Sequence, residues 1–378
     1  MKIVCAASVL FGREAFGTLG ETIVLPDDRI TRDDLRNADA LVIRSKTSVT
    51  ADLLQDTPVA FVGTATAGFD HLDTAAIEAA GAAWYAAPGC NANSVAEYVV
   101  TALLRLAGLR GLDFAGRALG VVGVGEVGRR VAEKAAILGL RVLKNDPPLA
   151  LAGGAGEFLD LDRVLEESDA VTLHVPLTRG GPFPTERLAG CHFFEHLKPG
   201  ACFLNTSRGE VADEEALLLA LDRGMLSCVA LDVWDHEPEI SPALLERATI
   251  GTPHIAGYSW DGRLNGTVAV YRQACRFFEL SPSWKPPELD APPGGRHVVD
   301  ARGRTDQEVL AELTAAAYDL EGDARALKEK TAESLTDRFR RLRRTYPPRR
   351  EFNAHNVELL HARPELEEKI AVLGFRLV

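Results

Sequence analysis

The stretch Gly120-Val-Val-Gly-Val-Gly-Glu-Val-Gly-Arg-Arg130 decides the fold. Apolar residues Ala118 to Val122 predict a short buried strand, and Val127, Val131, Ala135 and Leu138 have the spacing of a helix face. Between them stands Gly123-Val-Gly125-Glu-Val-Gly128. Strand, glycine turn and helix in this order form a dinucleotide-binding unit. The first glycine allows the tight turn, the second lets backbone approach a pyrophosphate, and the third lets helix and strand pack closely. The helix N-terminus presents N–H groups and the positive end of its dipole to that pyrophosphate. The next apolar run, Leu140 to Leu143, leads to Asp146. A carboxylate there can accept from the adenosine ribose hydroxyls and repels a 2′-phosphate, which favours NAD over NADP. The bland alternative is an ordinary tight turn followed by a solvated Asp. The matched strand, helix and acid argue against it.

The 378 residues leave room for two or three domains, each with its own core. A formal net charge of −12 argues against a general nucleic-acid binder or an anionic membrane partner, so an anionic substrate must be held by local positive groups. The six cysteines (Cys5, Cys90, Cys191, Cys202, Cys228, Cys275) show no C-x-x-C or zinc spacing, and no metal is expected. They read as small core residues of a protein in a reducing cytoplasm. No apolar run reaches transmembrane length. Met1 to Leu10 reads as a first strand rather than a signal peptide, because Lys2-Ile-Val-Cys-Ala opens a regular strand–helix alternation.

That alternation places strands at Ile3–Ala6, Thr22–Leu25, Ala40–Ile43, Ala60–Val62 and Ala82–Tyr85, with helical stretches at Thr31–Asn37 and Leu72–Ala80. A strong helix is predicted over Asn93–Ala107, capped by Asn93 or Ser94, with Val95, Val99, Leu103 and Leu106 as its buried stripe. Gly108 and Gly111 then break the pattern and suggest a domain boundary. Further strands are expected at Ala170–His174, Ala201–Asn205, Cys228–Asp232 and Thr249–Thr252, and a helix over 258–280. Ser281 to Arg296, rich in proline and glycine, reads as a linker. Beyond it a strand is expected at His297–Asp300, then helices at Asp306–Leu320 and about Arg325–Thr345. The second carries Arg338, Arg340, Arg341, Arg343 and Arg344, which read as a solvated, acid-paired face rather than a phosphate or nucleic-acid site.

Three polar residues follow three successive strands of the nucleotide unit: Arg208, Glu237 and His254. Ligands of open parallel sheets bind beyond the carboxyl ends of the strands. Oxidising a secondary alcohol sends a hydride to NAD and a proton to a base, and histidine can serve as that base near neutral pH. A neighbouring carboxylate orients the ring, and an arginine can clamp a substrate carboxylate. Singly, each could be an ordinary loop or surface residue. His236 is a rival base, and His174 reads as structural or near the cofactor. Arg44-Ser-Lys-Thr47 and Gly63-Thr-Ala-Thr-Ala-Gly68 offer hydroxyls, N–H groups and positive charge suited to an anion, or are ordinary turns.

In this combination the chain resembles the D-isomer-specific 2-hydroxy acid dehydrogenases. The Gly123/Gly125/Gly128 turn with Asp146, the Asn205–Gly209 loop, Asp232 with Glu237, and Pro253-His254 match in order, over about residues 1–280. The resemblance implies an α/β fold with a Rossmann-like NAD domain (108–257) and a discontinuous flavodoxin-like substrate domain (1–107 with 258–285). A small α+β domain (286–378) would dimerise the chain. Arg208, Glu237 and His254 would be catalytic, His254 as the proton donor or acceptor. Gly123, Gly125, Glu126, Val127, Gly128, Asp146, Val175, Thr206, Ser207, Asp232 and Gly257 would bind NAD. Ser45, Thr66 and Tyr258 would contact substrate. Gly63–Gly68, Ala87-Pro-Gly-Cys-Asn-Ala92, Asn145-Asp-Pro-Pro148, Pro253–Tyr258 and the segment including Arg338–Glu351 point to a branch acting on a small phosphorylated hydroxy acid. Two departures stand out: Ala6-Ala-Ser8 where the family usually carries Asp-Glu-Asn, and Val175 where a hydroxyl residue is expected. A dehydrogenase for another hydroxy acid, such as 3-phosphoglycerate, and a non-catalytic NAD-sensing scaffold remain as alternatives.

Overall fold

The computed structural model describes residues 1–154, 156–288 and 295–378; Pro292, Pro293 and Gly294 of the expected linker lie outside the described residues. Contacts divide the described chain into two compact units, 1–92 with 258–288 and 93–257 with 295–378.

In the first unit β1 (Lys2–Ala6), β2 (Glu21–Leu25), β3 (Ala40–Ile43), β4 (Phe61–Thr64) and β5 (Ala83–Ala86) form a parallel sheet of order β2-β1-β3-β4-β5. This is the flavodoxin order. The central strands are covered on both faces, so they read as unbroken apolar runs such as Ala40-Leu-Val-Ile43, all buried. Short helices start on side-chain caps: Thr31 forms a capping box with Asp34, and Asp73 accepts from the Ala76 N–H. The helix Trp260–Phe277, capped by Ser259, lies against β4. Glycines permit that approach, since a Cβ on Gly63 would stand 2.4 Å from Val270 Cγ1 and one on Gly266 2.5 Å from the Ala65 carbonyl.

In the second unit β6 (Ala118–Val122), β7 (Arg141–Asn145), β8 (Ala170–Leu173), β9 (Ala201–Asn205), β10 (Leu226–Leu231) and β11 (Ile250–Gly251) make a parallel sheet of order β11-β10-β9-β8-β6-β7. Leu159 runs beside β7, its N–H donating to Lys144 O at 2.8 Å and its carbonyl accepting from Asn145 Nδ2 at 2.8 Å. It occupies the place of the third strand in a Rossmann sheet. The C-terminal part adds β12 (Arg296–Asp300), β13 (Asn356–Leu360) and β14 (Arg376–Leu377), a small parallel sheet.

The contact division differs from boundaries read off glycine and proline. The helix spans Ala92–Arg110, and its Val95, Val99, Leu103 and Leu106 pack in one core with Val309, Leu313 and Ile370 of the C-terminal part. Asn93 and Ser94 lie inside its first turn and do not cap it. Asn93 Nδ2 donates to Glu97 and Glu351, and Ser94 Oγ donates to Ala256 O. Further along, the helix expected over 325–345 is two helices, Leu320–Lys328 and Leu335–Arg344. The apolar period runs across both, but Ser334 caps the second by accepting from the Asp337 N–H, and buried Arg338 bonds the Leu327 and Glu333 carbonyls of the connection. The helix Pro364–Leu373 and strands β13 and β14 were not distinguished by sequence pattern.

Phe339 on the Leu335–Arg344 helix is fully buried in a cluster with Trp234, Leu244 and Leu245. Phe339→Ala should cost about 3–5 kcal/mol, the usual range for a truncated core aromatic. Urea denaturation of the purified variant measures this, and a loss below about 1 kcal/mol would show that the helix is not anchored there.

Candidate active site

The glycine turn is built as a dinucleotide cradle. Gly123 has φ +85°, a conformation that favours glycine, and a Cβ there would meet the His174 carbonyl at 2.7 Å. A Cβ on Gly128 would stand 1.9 Å from the Gly123 carbonyl, so helix Glu126–Ile137 can start so close to β6 only with glycine there. Gly125 faces open space and caps the helix without a side-chain partner, which leaves N–H groups of the first turn directed outward. Asp146 Oδ2 accepts from the Val124 N–H at 2.7 Å and Oδ1 from the Leu149 N–H at 3.0 Å. The carboxylate is thereby pinned beside the turn, with lone pairs left for ribose hydroxyls. These residues fit NAD.

Glu126 is exposed, and hydrogen bonds from Arg129 and then Arg130 hold its carboxyl below the usual range. Val127 packs against the core, and Val175 flanks the turn, its Cγ1 2.8 Å from where a Gly123 Cβ would stand. Val175 offers no side-chain hydrogen bond. His174 is structural: its ring nitrogens lie 3.0 Å from Thr172 Oγ1 and 3.3 Å from Thr206 Oγ1. Burial pushes it down to about 3, so the ring is neutral.

Arg208 sits on a loop tied together by Asn205. Asn205 Oδ1 accepts from the Ser207 N–H at 3.0 Å and Oγ at 2.8 Å, and its Nδ2 donates to Arg208 O at 2.8 Å. A Cβ on Gly209 would lie 1.9 Å from the Trp234 backbone, so this loop touches the loop carrying Glu237. Glu237 Oε1 accepts from the Trp234 N–H at 3.0 Å, and Oε2 accepts from His254 Nδ1 at 2.7 Å. That bond leaves His254 Nε2 for a reacting group. His254 has φ +56°, held by its N–H donating to Asp232 O at 2.7 Å. The Asp232 carboxylate, 1% exposed, accepts from Thr252 Oγ1 at 2.7 Å, Ile255 N–H at 2.8 Å and Ala256 N–H at 2.9 Å. It underpins the histidine loop that leads to Gly257. The rival base His236 is 84% exposed and faces Asp235.

The remaining expected residues belong to the first unit. Ser45 is exposed after β3, Thr66 Oγ1 donates to Gly68 O at 2.8 Å, and Tyr258 lies under the Arg44 guanidinium, 5.7 Å from Cζ to ring centroid. The sequence reading missed Arg263 and the role of Arg343. Both are isolated arginines on helices, with no spacing to mark them. It also missed Asp162, His192 and His196, whose ligand atoms lie within 4.8 Å of one another at the surface. They are 30 residues apart in sequence, and His192 already bonds Asp162.

An acid–base pair and an arginine loop at adjacent strand ends, beyond a dinucleotide turn, make a dehydrogenase arrangement. Residues 95–256 match the family described as D-isomer specific 2-hydroxyacid dehydrogenase, NAD binding domain. Residues 292–374 match a family described only as a domain of unknown function. Among solved structures, NAD+-bound 3-phosphoglycerate dehydrogenase of Entamoeba histolytica superposes with TM-score 0.64 at 23% identity, over 76% of this chain and 99% of that one. D-lactate dehydrogenase of Aquifex aeolicus, complexed with NAD and lactic acid, gives TM-score 0.60 at 26% identity, over 73% and 95%. Erythronate-4-phosphate dehydrogenase of Salmonella paratyphi B is 42% identical over 355 residues, 94% of this chain and 93% of that protein, and that of Salmonella typhi matches with the same figures. The chain belongs to the D-isomer specific 2-hydroxyacid dehydrogenase family, whose NAD-binding domain it carries. Among the described residues no helix is long and apolar enough to cross a membrane.

Burial opposes ionisation of Glu237, but the charge and hydrogen bond of His254, then Arg343 and the Trp234 N–H, hold its carboxyl below the ordinary 4.5. The folded state thus binds this proton less tightly than the unfolded one. The resulting stability is present above pH 4.5 and is lost as the pH falls below it. Glu237→Gln should therefore be less stable than the unsubstituted protein near neutrality, with the gap narrowing below pH 4.5. Urea midpoints taken across that range give the comparison, and a gap that stays constant would contradict the assignment.

Proposed function

We propose that this chain oxidises the C2 hydroxyl of 4-phospho-D-erythronate to (R)-3-hydroxy-2-oxo-4-phosphooxybutanoate, with NAD, in cytoplasmic pyridoxal 5′-phosphate synthesis. The observation that carries the chemistry is the 2.7 Å bond from His254 Nδ1 to Glu237 beside the Arg208 loop. The substrate is named by the 42% identity to erythronate-4-phosphate dehydrogenases along 94% of the chain. The Gly123–Gly128 cradle with Asp146 would hold NAD, which would supply the acceptor for the C2 hydride. His254 Nε2 takes the hydroxyl proton, and Glu237 offsets the imidazolium charge that results. Arg208 clamps the C1 carboxylate and polarises the forming ketone oxygen. In the reverse direction His254 returns the proton. The Gly123–Gly128 cradle with Asp146, together with Thr206, Ser207, Asp232 and Gly257, is assigned to NAD, and Ser45, Thr66 and Tyr258 to the substrate.

A phosphorylated substrate is favoured by two arginines of the first unit. The Nε atoms of Arg44 and Arg263 are buried without a hydrogen-bond partner among the described residues. Arg263 donates to Ser8 O at 3.2 Å, and burial together with the Arg44 charge pushes it down to about 10. Two guanidiniums held together in this way suit a dianion. Residues 286–378 are assigned to homodimerisation. The outer face of the β12–β13 sheet is open, with Val298 57% and Leu360 41% exposed, whereas parallel sheets are normally covered on both faces.

Absorbance of NADH should rise when purified protein and NAD meet 4-phosphoerythronate. His254→Ala should lower turnover by about 10²–10⁴-fold while NADH still binds. Arg263→Met should raise KM by about 10-fold or more, as loss of a charge-assisted hydrogen bond predicts. Turnover only of an unphosphorylated hydroxy acid would overturn the substrate, and NADH binding without any turnover would favour a scaffold. Light scattering should return twice the 40.8 kDa chain mass, and a single chain mass would overturn the dimer.

A further inference from the structure

The helix Leu335–Arg344 lies outside the residues matched by the family's NAD-binding domain and inside the segment described only as a domain of unknown function. Its arginines do different work. Arg338 is buried and bonds the Leu327 carbonyl, Thr331 Oγ1 and the Glu333 carbonyl. Arg341 grips the Glu333 carboxylate with Nε and Nη2 at 2.9–3.1 Å, and Arg340 pairs loosely with Asp337 at 3.8 Å. Arg344 is exposed. Arg343 turns elsewhere: its Nη1 stands 3.9 Å from Glu237 Oε2, the oxygen that accepts from His254 Nδ1 at 2.7 Å. Both members of the ion pair are mostly shielded, with side chains 22% and 18% exposed. The guanidinium lies 5.9 Å from the centroid of the Phe339 ring, and that ring is locked in the core with Trp234. The cation is therefore held by the helix that Phe339 anchors, beside the same Glu237 oxygen that the histidine bonds.

We propose that Arg343 is a positioning residue for proton transfer, through which the C-terminal segment sets the charge balance of the Glu237–His254 pair. This rests on the reading of that pair as the acid–base machinery. A carboxylate beside an imidazole favours its charged form, and a further cation beside that carboxylate works against this. A fixed guanidinium beside the same oxygen opposes a second positive charge and keeps the ring ready to accept a proton from an alcohol. It also keeps the carboxylate ionised, so the ring orientation set by the Nδ1 bond persists. Among the described residues, the charged groups that neighbour the dyad include Arg343 from the C-terminal helix, 3.9 Å from Glu237, and Asp232 just after β10, whose carbonyl accepts from the His254 N–H; Arg208 lies on the loop after β9 that touches the Glu237 loop. Asp235, His236 and Glu239 lie on Glu237's own loop. His254 and, after it, Arg343 are the charges that act most strongly on Glu237. Asp232 is already committed to the histidine loop, and His236 points to solvent.

The test is the pH dependence of kcat/KM for hydroxy acid oxidation in the unsubstituted protein, Arg343→Gln and Arg343→Lys. It is paired with NMR titration of the His254 ring, assigned by its absence in His254→Ala. For Arg343→Gln, the acidic limb of the rate profile and the midpoint of the His254 signals should both move to higher pH by about one unit, a tenfold change in the proton equilibrium. Lysine at 343 should restore most of the original position, because the charge matters more than the fork. A profile lowered uniformly with no sideways shift, and an unmoved His254 titration, would mean that Arg343 only braces the fold and would overturn the proposal. The NMR arm keeps the two readings separable. Absence of turnover in the unsubstituted protein would sink the dehydrogenase assignment, whereas the His254 titration would still report whether Arg343 acts on the ring.

Discussion

Asp232 accepts three hydrogen bonds while almost wholly removed from water, and its own carbonyl takes a fourth from His254. A buried carboxylate is tolerated only when its lone pairs are satisfied, so the segment from Thr252 to Ala256 must fold around it. That requirement places His254 in a left-handed backbone conformation, which is uncommon for a residue with a side chain, and aims its ring at Glu237. The same segment is braced from outside. Tyr98 OH meets Thr252 Oγ1 at 2.8 Å, and Trp234 Nε1 donates to Thr252 O at 2.8 Å. The acid–base geometry is thus a consequence of how one anion is buried.

A second buried network joins the C-terminal segment to the helix Ala92–Arg110. Burial and then the neighbouring Glu351 raise the Glu97 carboxyl, while Arg349 and Lys134 oppose that rise. Glu97 accepts from Asn93 Nδ2 and from the Phe352 N–H, and Arg349 stacks on Tyr318 at 4.1 Å while donating to Ser94 Oγ and Ala256 O. Ala256 also gives its N–H to Asp232. The network therefore reaches the histidine loop through Ala256, independently of Arg343. Removing one partner of such a group would leave a charge unpaired in low dielectric and would be strongly destabilising.

Much of this was legible in the linear chain, for reasons that differ by residue. Strands β1, β3, β6 and β9 announced themselves because parallel strands covered on both faces are apolar along nearly their whole length. Gly123, Gly128 and Asp146 were readable because a dinucleotide turn demands them at fixed offsets. Arg208, Glu237 and His254 were singled out because each follows a recognisable strand. The C-terminal segment was read less well. Its helical period passes through Lys328 to Leu335, and only a cap at Ser334 and the grip of Arg338 on nearby carbonyls divide it in two. The arginines of that helix looked alike, although one is buried, one is chelated by Glu333 and one reaches Glu237.

By itself, the sequence determined two parallel-sheet units, a dinucleotide cradle and three polar residues at successive strand ends, because each of these leaves a local periodic or spaced signature. Only the tertiary structure decided which atoms meet: Glu237 Oε2 with His254 Nδ1, Asp232 with the backbone of the histidine loop, and Arg343 with the same carboxylate from more than 100 residues away. The physical reason is that charge and hydrogen bonding act through space at a few ångströms. Residues this far apart in the chain acquire a shared electrostatic role only when buried cores such as that of Phe339 and Trp234 bring them together.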